Sequence, residues 1–147
     1  MGNNEIKRLM ADYLTKYNIL ALATVTPDCK ALAHTVEYVS DGTTVYFATS
    51  KSTRKIRDIL KNPSVAYTVE EDYKDWMTIK GVQMEGVATV LSDTEEISRA
   101  ASLYIAKFPF VAQFPPNPEM VFVKIVPTEG SFLDYTKGFT HRDTVGF

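Results

Sequence analysis

The sequence is poor in cysteine and histidine and carries no excess of charge of either sign. One cysteine, Cys29, among 147 residues excludes an internal disulfide and any metal site built from several thiolates. The two histidines, His34 and His141, lie far apart in sequence without a cysteine at metal-ligand spacing, so no metal site is expected. Sixteen Lys and Arg against 18 Asp and Glu give a net charge of −2, which does not fit nonspecific nucleic-acid binding.

Long apolar segments and common catalytic motifs are also absent. The longest purely aliphatic run, Ile19 to Ala23, is far too short to cross a bilayer, and the first residues lack the pattern of a signal peptide. The glycine-rich nucleotide loops and the standard hydrolase and zinc motifs are missing. We therefore expect a cytoplasmic protein without membrane or nucleic-acid partners. Its length and its hydrophobic fraction of 45% predict one globular domain over residues 1–147.

Hydrophobic periodicity predicts two long amphipathic helices. Apolar residues from Ile6 to Tyr17 recur at spacings of three and four, and Asn18 follows as a stop signal. Asp93 and Glu96 form a capping box for the second helix. Its predicted buried face consists of Ile97, Ala101, Tyr104, Ile105 and Phe108.

Six segments rich in β-branched and aromatic residues predict strands, and most of the connections between them are short. Turn signals at Pro27-Asp28 and Asp41-Gly42 predict antiparallel hairpins, while Gly81 and Gly86 predict bulges or bends in a curled sheet. The residues after Glu129 show no clear periodicity. The expected fold is therefore mainly β, a small six-stranded antiparallel barrel with peripheral helices. The predicted strands are Ile19–Thr26, Ala33–Val39, Thr44–Thr49, Ser64–Glu70, Trp76–Leu91 and Met120–Val126.

One segment concentrates positive charge and hydroxyl groups. Five of the 16 basic residues fall within the eleven positions from Lys51 to Lys61, where a short helix is predicted with Ser52 or Thr53 as its N-cap. Free backbone N–H groups and the positive end of the helix dipole meet at such a start, so the segment predicts an anion site suited to phosphate. Its members are Thr49, Ser50, Ser52, Thr53, Arg54 and Lys55.

The same charges also fit an ordinary solvated helix face. On a helical wheel Arg54, Arg57, Asp58 and Lys61 lie opposite the apolar residues Ile56, Ile59 and Leu60. For Arg57 and Lys61, a turn or more from the helix start, we favour the solvated face. For Arg54, Lys55 and the hydroxyls, the anion site is favoured, but these residues alone leave both interpretations open.

An ordered set of motifs resembles a known family over roughly residues 5 to 135. Segments in the order of the family read LALATVTPD from Leu20, AHTVEY from Ala33, VYFATSKSTRK from Val45, NPSVAY from Asn62 and VQMEGVA from Val82. This set resembles the pyridoxamine 5′-phosphate oxidase-like FMN-binding split-barrel family. The resemblance implies a six-stranded Greek-key barrel and a homodimer with two FMN sites formed between its subunits.

The resemblance also implies roles for individual residues. The phosphate of FMN would be held by Thr49, Ser50, Ser52, Thr53, Arg54 and Lys55. The strand along the flavin ring would be His34, Thr35, Val36 and Glu37, although many relatives have Arg where His34 stands. The partner subunit would approach the cofactor with Lys80, Gly81 and Gln83. No catalytic residue is identified.

Two aromatic or polar groups near the predicted site have open roles. The segment from Asp134 to Asp143 resembles the end of many small members of the group. It either supplies Phe139, His141 or Arg142 to the flavin pocket or forms a surface hook that supports the dimer. Trp76 is interpreted as a buried aromatic of the sheet ahead of a role as a flavin cover.

The leading functional hypothesis is an FMN-dependent oxidoreductase, in which the flavin does the redox chemistry and the protein holds and tunes it. Oxidation of pyridoxamine phosphate itself is not favoured, because Thr136–Phe147 does not match the substrate-binding C-terminal motif with Arg and His that the resemblance implies for the oxidase. Two alternatives are a noncatalytic protein that binds flavin, deazaflavin F420 or haem, and a module that binds a phosphate ligand without redox chemistry. The residues identify neither substrate nor electron donor.

Overall fold

The computed structural model describes all residues from Met1 to Phe147 and consists of one antiparallel sheet and three α-helices. The helices are α1 (Asn3–Lys16), α2 (Arg54–Lys61) and α3 (Thr94–Lys107). The strands are β1 (Ile19–Val25), β2 (Ala31–Glu37), β3 (Val39–Asp41), β4 (Thr44–Ser50), β5 (Ser64–Glu70), β6 (Lys80–Val90), β7 (Met120–Asp134) and β8 (Arg142–Gly146). None of the helices has the length and apolar composition needed to cross a membrane.

The order of the strands curls the sheet on itself. Neighbours pair antiparallel in the order β2-β1-β5-β6-β7-β4-β3, and β8 adds to β7 beside this path. The two ends of the order, β2 and β3, are separated in the chain by Tyr38 alone, so the sheet bends round to bring its edges together. No ladder joins these edges, which leaves the barrel split. The predicted mainly β split barrel is confirmed.

The main core fills the inside of the barrel. Alternate residues of the strands point inward, as in the pairs Leu20 and Leu22 of β1 and Val65 and Val69 of β5, all of them buried. Helix α1 packs its apolar face against this core, as its periodicity predicted. The helix contributes Ile6, Met10, Tyr13 and Leu14.

A second, smaller core lies between α3 and the outer side of the barrel. Ala100 and Tyr104 of α3 pack against Val39, Tyr46 and Leu91. Half of the predicted capping box is present: the Asp93 carboxylate accepts a hydrogen bond from the Glu96 N–H at 3.0 Å, while the Glu96 carboxylate lies 3.6 Å from Lys124 Nζ. Ile105, predicted to be buried, is exposed, because the helix turns the side of Ala100 and Tyr104 toward the sheet.

The strand prediction needs three corrections. The segment predicted as Ala33–Val39 is broken at Tyr38, whose hydroxyl donates to the Leu14 carbonyl at 2.6 Å, and the turn at Asp41-Gly42 therefore joins β3 to β4. Strand β7 continues to Asp134, and part of the residues without periodicity forms β8. The count is thus eight strands instead of six. The segment from Trp76 to Thr78 is a 3-10 turn ahead of β6 and not part of a strand.

The bulge predicted at Gly86 is confirmed and explains why the periodicity of β7 is hidden. Glu85 pairs with Glu129 while Gly86 pairs with Pro127, so Thr128 is an extra residue on β7. A Cβ at Gly86 would lie 2.6 Å from the Val126 carbonyl oxygen, closer than side-chain carbons approach backbone. The sheet bends here only because residue 86 has no side chain.

We expect Gly86→Ala to lower the free energy of unfolding by about 1–3 kcal/mol, since the obstructing atom belongs to the backbone of β7 and cannot rotate away. Gly146→Ala is the matched control in β8, because the nearest atom to its added Cβ is 4.0 Å away. Urea unfolding of both variants measures the difference. Equal stability of the two variants would contradict this explanation of the bulge.

Candidate functional site

Helix α2 starts four residues after β4 ends and is held to the barrel by one side. Ile56 and Ile59 are buried in the main core, as predicted. The other predicted apolar residue, Leu60, is 69% exposed, whereas Asp58, predicted on the solvated face, is fully buried. The helix is rotated from the predicted orientation because the barrel offers Asp58 a hydroxyl partner, which makes its burial tolerable.

The start of α2 presents hydrogen-bond donors that have no acceptor in this chain. Thr53 is the N-cap residue, but its hydroxyl donates to the Ser50 carbonyl at 2.9 Å and does not cap the helix. The backbone N–H groups of Arg54, Lys55 and Ile56 have no acceptor. Donors at a helix start point outward along the positive end of the dipole, so this end of α2 favours an anion.

Two cations beside these amides are also free of partners. Arg54 and Lys55 form no ion pair, whereas the neighbouring Lys51 lies 3.8 Å from a Glu119 carboxylate oxygen. The hydroxyls of Ser50 and Ser52 lie 3.0 Å apart, beside the same helix start. Amides, hydroxyls and cations together match a group with several acceptor oxygens, such as a phosphate. Thr49, the remaining predicted member, is buried at the end of β4.

His34 of β2 is linked to α2 through a polar side chain on β1. Its ring Nε2 lies 2.9 Å from the Thr24 hydroxyl, which donates in turn to the Asp58 carboxylate at 3.1 Å. Burial lowers the pKa of His34 most, Lys55 lowers it further and Arg54 adds a smaller effect, while Asp58 acts in the opposite direction. His34 is therefore coupled, by hydrogen bonds and by charge, to Arg54, Lys55 and Asp58 of α2.

Thr24 and Asp58 are the members of this arrangement that the sequence reasoning missed. The alternation of β1 does not distinguish Thr24 from its neighbours, and the helical wheel places Asp58 on the solvated face. The one local signal is that Asp58 stands between Ile56 and Ile59, both of which are buried.

The other residues of β2 alternate between the two sides of the strand. Thr35 and Glu37 are exposed on the outer side, while Val36 is buried in the core. Backbone groups of such a strand remain able to meet a ligand where the barrel is split.

The predicted site residues of β6, Lys80, Gly81 and Gln83, do not contact the start of α2 within one chain. The Lys80 carbonyl accepts from the Tyr13 hydroxyl at 3.1 Å, and Gln83 is exposed on the outer side of the sheet, between Thr68 and Ser131. Gly81 is buried, and a Cβ there would lie 3.3 Å from a backbone oxygen of β5. None of the three residues forms a hydrogen bond with the segment from Thr49 to Lys55.

Two cavities flank these residues. The smaller, about 540 Å³, lies on the outer side of the sheet and is lined by small residues of β1, β2 and β5 together with Gln83 and Arg142. The larger, about 920 Å³, lies between α3, the Pro-rich segment from Pro109 to Pro118 and the outer side of β4 and β7. It is mainly apolar, and its aromatic lining is Tyr104, Phe108, Phe110, Phe114 and Phe122.

The residues left open by the sequence lie on the surface. Trp76 is 69% exposed, so the prediction of a buried sheet aromatic is wrong, and its ring stacks on Phe139 with centroids 6.5 Å apart. His141 Nε2 lies 3.1 Å from the Asp143 carboxylate. Of the three tail candidates Phe139, His141 and Arg142, Arg142 lines the smaller cavity.

A family model and solved structures match the chain. The family model described as pyridoxamine 5′-phosphate oxidase matches residues 6–134. The conserved hypothetical protein Rv2991 from Mycobacterium tuberculosis has a TM-score of 0.78 at 24% identity, over 100% of this chain and 93% of its own. No curated protein sequence matches the chain.

Two further solved structures carry functional descriptions. A putative pyridoxamine 5′-phosphate oxidase from Listeria innocua has a TM-score of 0.72 at 22% identity, over 86% of this chain and 97% of its own. HutZ, a haem storage protein from Vibrio cholerae, has a TM-score of 0.70 at 19% identity, over 85% and 89%. At these identities the likeness shows that the split barrel is shared.

We expect Ile56→Ala to lower the free energy of unfolding by about 2–5 kcal/mol, because it opens a cavity under the helix that carries the site. Leu60→Ala removes the same number of carbon atoms from the same helix but from an exposed position, and should stay within about 0.5 kcal/mol of the parent protein. Chemical unfolding of both variants checks this. A larger loss for Leu60→Ala would mean that α2 is packed by its other face.

Proposed function

The chain belongs to the pyridoxamine 5′-phosphate oxidase family, and we propose that it binds FMN and acts as an FMN-dependent oxidoreductase. The observation that carries the proposal is the start of α2, where three backbone amides lack acceptors beside the unpaired cations Arg54 and Lys55. A phosphate monoester is the part of FMN that needs such a donor set. The expectation of a cytoplasmic location belongs to the same proposal.

The residues present fit the phosphate of FMN. Besides the amides, Ser50 and Ser52 offer hydroxyls on the same side, and an arginine can bind two phosphate oxygens at once. Thr49 and Thr53 flank this set, with Thr53 holding the turn through the Ser50 carbonyl. Together these residues would hold the phosphate, and the backbone of β2 from His34 to Glu37 would run along the flavin ring.

The protein's own contribution would be to bind and orient the cofactor. Bound FMN supplies the electron and hydride chemistry, so no side chain here needs to act as general acid or base. The larger, mainly apolar cavity is also lined by Glu37 of β2 and Ala48 of β4, the two strands that lead into the site. An apolar wall beside a flavin keeps water away and leaves room for an organic partner.

A homodimer is part of the proposal, because one chain does not complete the predicted site. Lys80, Gly81 and Gln83 lie on a different part of the barrel from α2, so a second copy would have to supply them. On the outer side of β4, Tyr46 is covered by α3 of the same chain and is not available to a partner. The exposed outer side of β1, with Ala21, is the surface that we now assign to the partner.

Haem binding is a second candidate, favoured by the size of the larger cavity. Haem also needs an axial ligand, usually histidine, cysteine, methionine or tyrosine. Neither histidine lines this cavity, and the Tyr104 hydroxyl donates to the Glu37 carbonyl and accepts from the Ala48 N–H. Met120 is the remaining residue of a suitable type, but methionine serves as an axial ligand together with a histidine, which this cavity lacks. The FMN proposal is therefore better supported. Absorption spectra of the purified protein separate a flavin from the Soret band of haem.

We expect the double variant Arg54→Ala/Lys55→Ala to bind FMN at least about 100-fold more weakly, since charge-assisted hydrogen bonds contribute roughly 1.5–3 kcal/mol each. The matched control Arg57→Ala/Lys61→Ala removes the same charge from later turns of α2 and should change affinity severalfold at most. Fluorescence titration with FMN, and with riboflavin, which lacks the phosphate, measures both. Equal losses in the two variants, or equal affinity for FMN and riboflavin, would refute the phosphate site.

We expect light scattering to give twice 16.5 kDa for the FMN-bound protein. Ala21→Arg places a charge on the outer side of β1 and should produce monomers that lose FMN in parallel, since a ligand of the dimer stabilises it by mass action. Ala106→Arg, on an exposed position of α3, is the control and should remain a dimer. A monomer that retains full FMN would contradict the shared site.

A further inference from the structure

A series of hydrogen-bonded side chains, largely buried, joins β2 at His34 to α2, the helix that carries Arg54 and Lys55. Asp58 and Thr24 are both fully buried, and the Thr24 hydroxyl donates to the Asp58 carboxylate at 3.1 Å. His34 Nε2 lies 2.9 Å from the same hydroxyl. The contact is diagonal across the β1–β2 ladder, in which Leu22 is the direct partner of His34. These hydrogen bonds thus link the strand proposed to run along the flavin ring to the helix proposed to hold the phosphate.

The hydrogen bonds fix which ring nitrogen of His34 carries the proton. The Thr24 hydroxyl has one hydrogen and donates it to Asp58, so it can only accept from the ring. Nε2 therefore carries hydrogen in every protonation state. Nδ1 carries a lone pair and accepts hydrogen bonds in the neutral ring, whereas in the imidazolium it carries a hydrogen and donates. A phosphate dianion has only acceptors, and the ring can donate to it from Nδ1 only when protonated.

Asp58 is not fully satisfied in the chain. Its Oδ1 is buried without a hydrogen-bond partner, and its one ion pair is long, 3.9 Å to Nε of the half-exposed Arg57. A buried carboxylate of this kind is unfavourable unless a positive charge lies near it. The Thr24 hydroxyl connects it to the one group of the site that can acquire such a charge, His34.

The charged groups that act on His34 all lie on α2, and the β1 contribution, Thr24, is neutral. Burial lowers the pKa of His34 first, followed by Lys55 and, more weakly, Arg54, against which Asp58 acts. A bound phosphate would offset the two cations and leave Asp58 in place, so the pKa of His34 would rise on binding. The ring would then be neutral in the free protein and protonated in the complex at intermediate pH.

We propose that His34 takes up a proton when a phosphate group binds at the start of α2, and that Asp58 is the positioning residue that, through Thr24, orients and stabilises the imidazolium. The inference rests on the proposed function and adds a regulation to it. Because protonation favours binding, affinity for FMN rises as the pH falls through the window between the free and bound pKa values of His34. One linked proton changes affinity by up to about tenfold per pH unit.

Calorimetric titration with FMN at pH 7 in two buffers of different ionisation enthalpy counts the protons taken up. His34→Asn keeps a polar side chain that cannot be protonated, and subtracting its value removes the contribution of the FMN phosphate itself. We expect the parent protein to take up more, by at most one proton. Relative to His34→Asn, its affinity for FMN should fall as the pH rises through the window between the free and bound pKa values of His34. His34→Arg carries a permanent charge and should bind tightly without this dependence.

The positioning role is tested by Asp58→Asn, which keeps the shape but not the charge, and by Thr24→Val, which removes the connecting hydroxyl. Both should lose the extra proton uptake, while the control Asp28→Asn, at an exposed carboxylate, should keep it. A purely structural role would lower the unfolding temperature and leave the proton count unchanged. If Asp58→Asn fails to fold, Thr24→Val still decides the question.

The ring itself gives a readout that needs no ligand. Nitrogen NMR of the free parent protein at pH 8 should show the hydrogen of His34 on Nε2, and a hydrogen on Nδ1 would overturn the inference. Equal proton uptake by the parent protein and His34→Asn would also overturn it, while leaving FMN binding intact. Failure of the parent protein to bind FMN at any pH would refute the proposed function as well.

Discussion

The docking of α2 onto the barrel is the constraint on which the candidate site depends. The helix has only eight residues, and helices of this length are held by packing and not by their own propensity. Ile56 and Ile59 supply the apolar part of that packing, and Asp58 adds a polar contact to β1. Together they fix the direction in which the free amides of the first turn point. The positions of Arg54 and Lys55 follow from this orientation.

How far the fold could be predicted depends on whether the signal was local. Ser64–Glu70 alternates strictly, and the strand has the predicted bounds to the residue. In β7 the alternation of apolar and polar residues is interrupted by Pro127 and Gly130. Pro127 pairs with Gly86 of β6 at the bulge, and Gly130 leaves space for Met84 of β6 and Met10 of α1. A Cβ at Gly130 would lie 2.4 Å from the Met84 sulfur. No window of sequence contains those partners, so the second half of β7 and the strand after it were not predicted.

The same distinction separates the parts of the site. A helix start is built from consecutive residues, so the sequence alone predicts that the segment from Thr49 to Lys55 lies at the start of α2. Asp58 could not, because its partner Thr24 is 34 positions away and a helical wheel treats any charge as solvated. The β6 residues Lys80 and Gln83 are a third case. Their predicted role depends on a second chain, and the structure of one chain leaves it a prediction.

The features that suit this site to a phosphate make it costly to keep empty. Donors without acceptors at the start of α2, two unpaired cations and the unsatisfied oxygen of Asp58 lie within one short helix. An anion with several acceptor oxygens would satisfy the N–H donors and balance the two cations, whereas the Asp58 oxygen is itself an acceptor and needs a donor. A ligand that supplies acceptors therefore stabilises the fold as it binds, by about 2.7 kcal/mol at a hundredfold excess over its dissociation constant. Stability and function are coupled at α2, because the helix holds the site only through its buried face and leaves its first turn to the ligand.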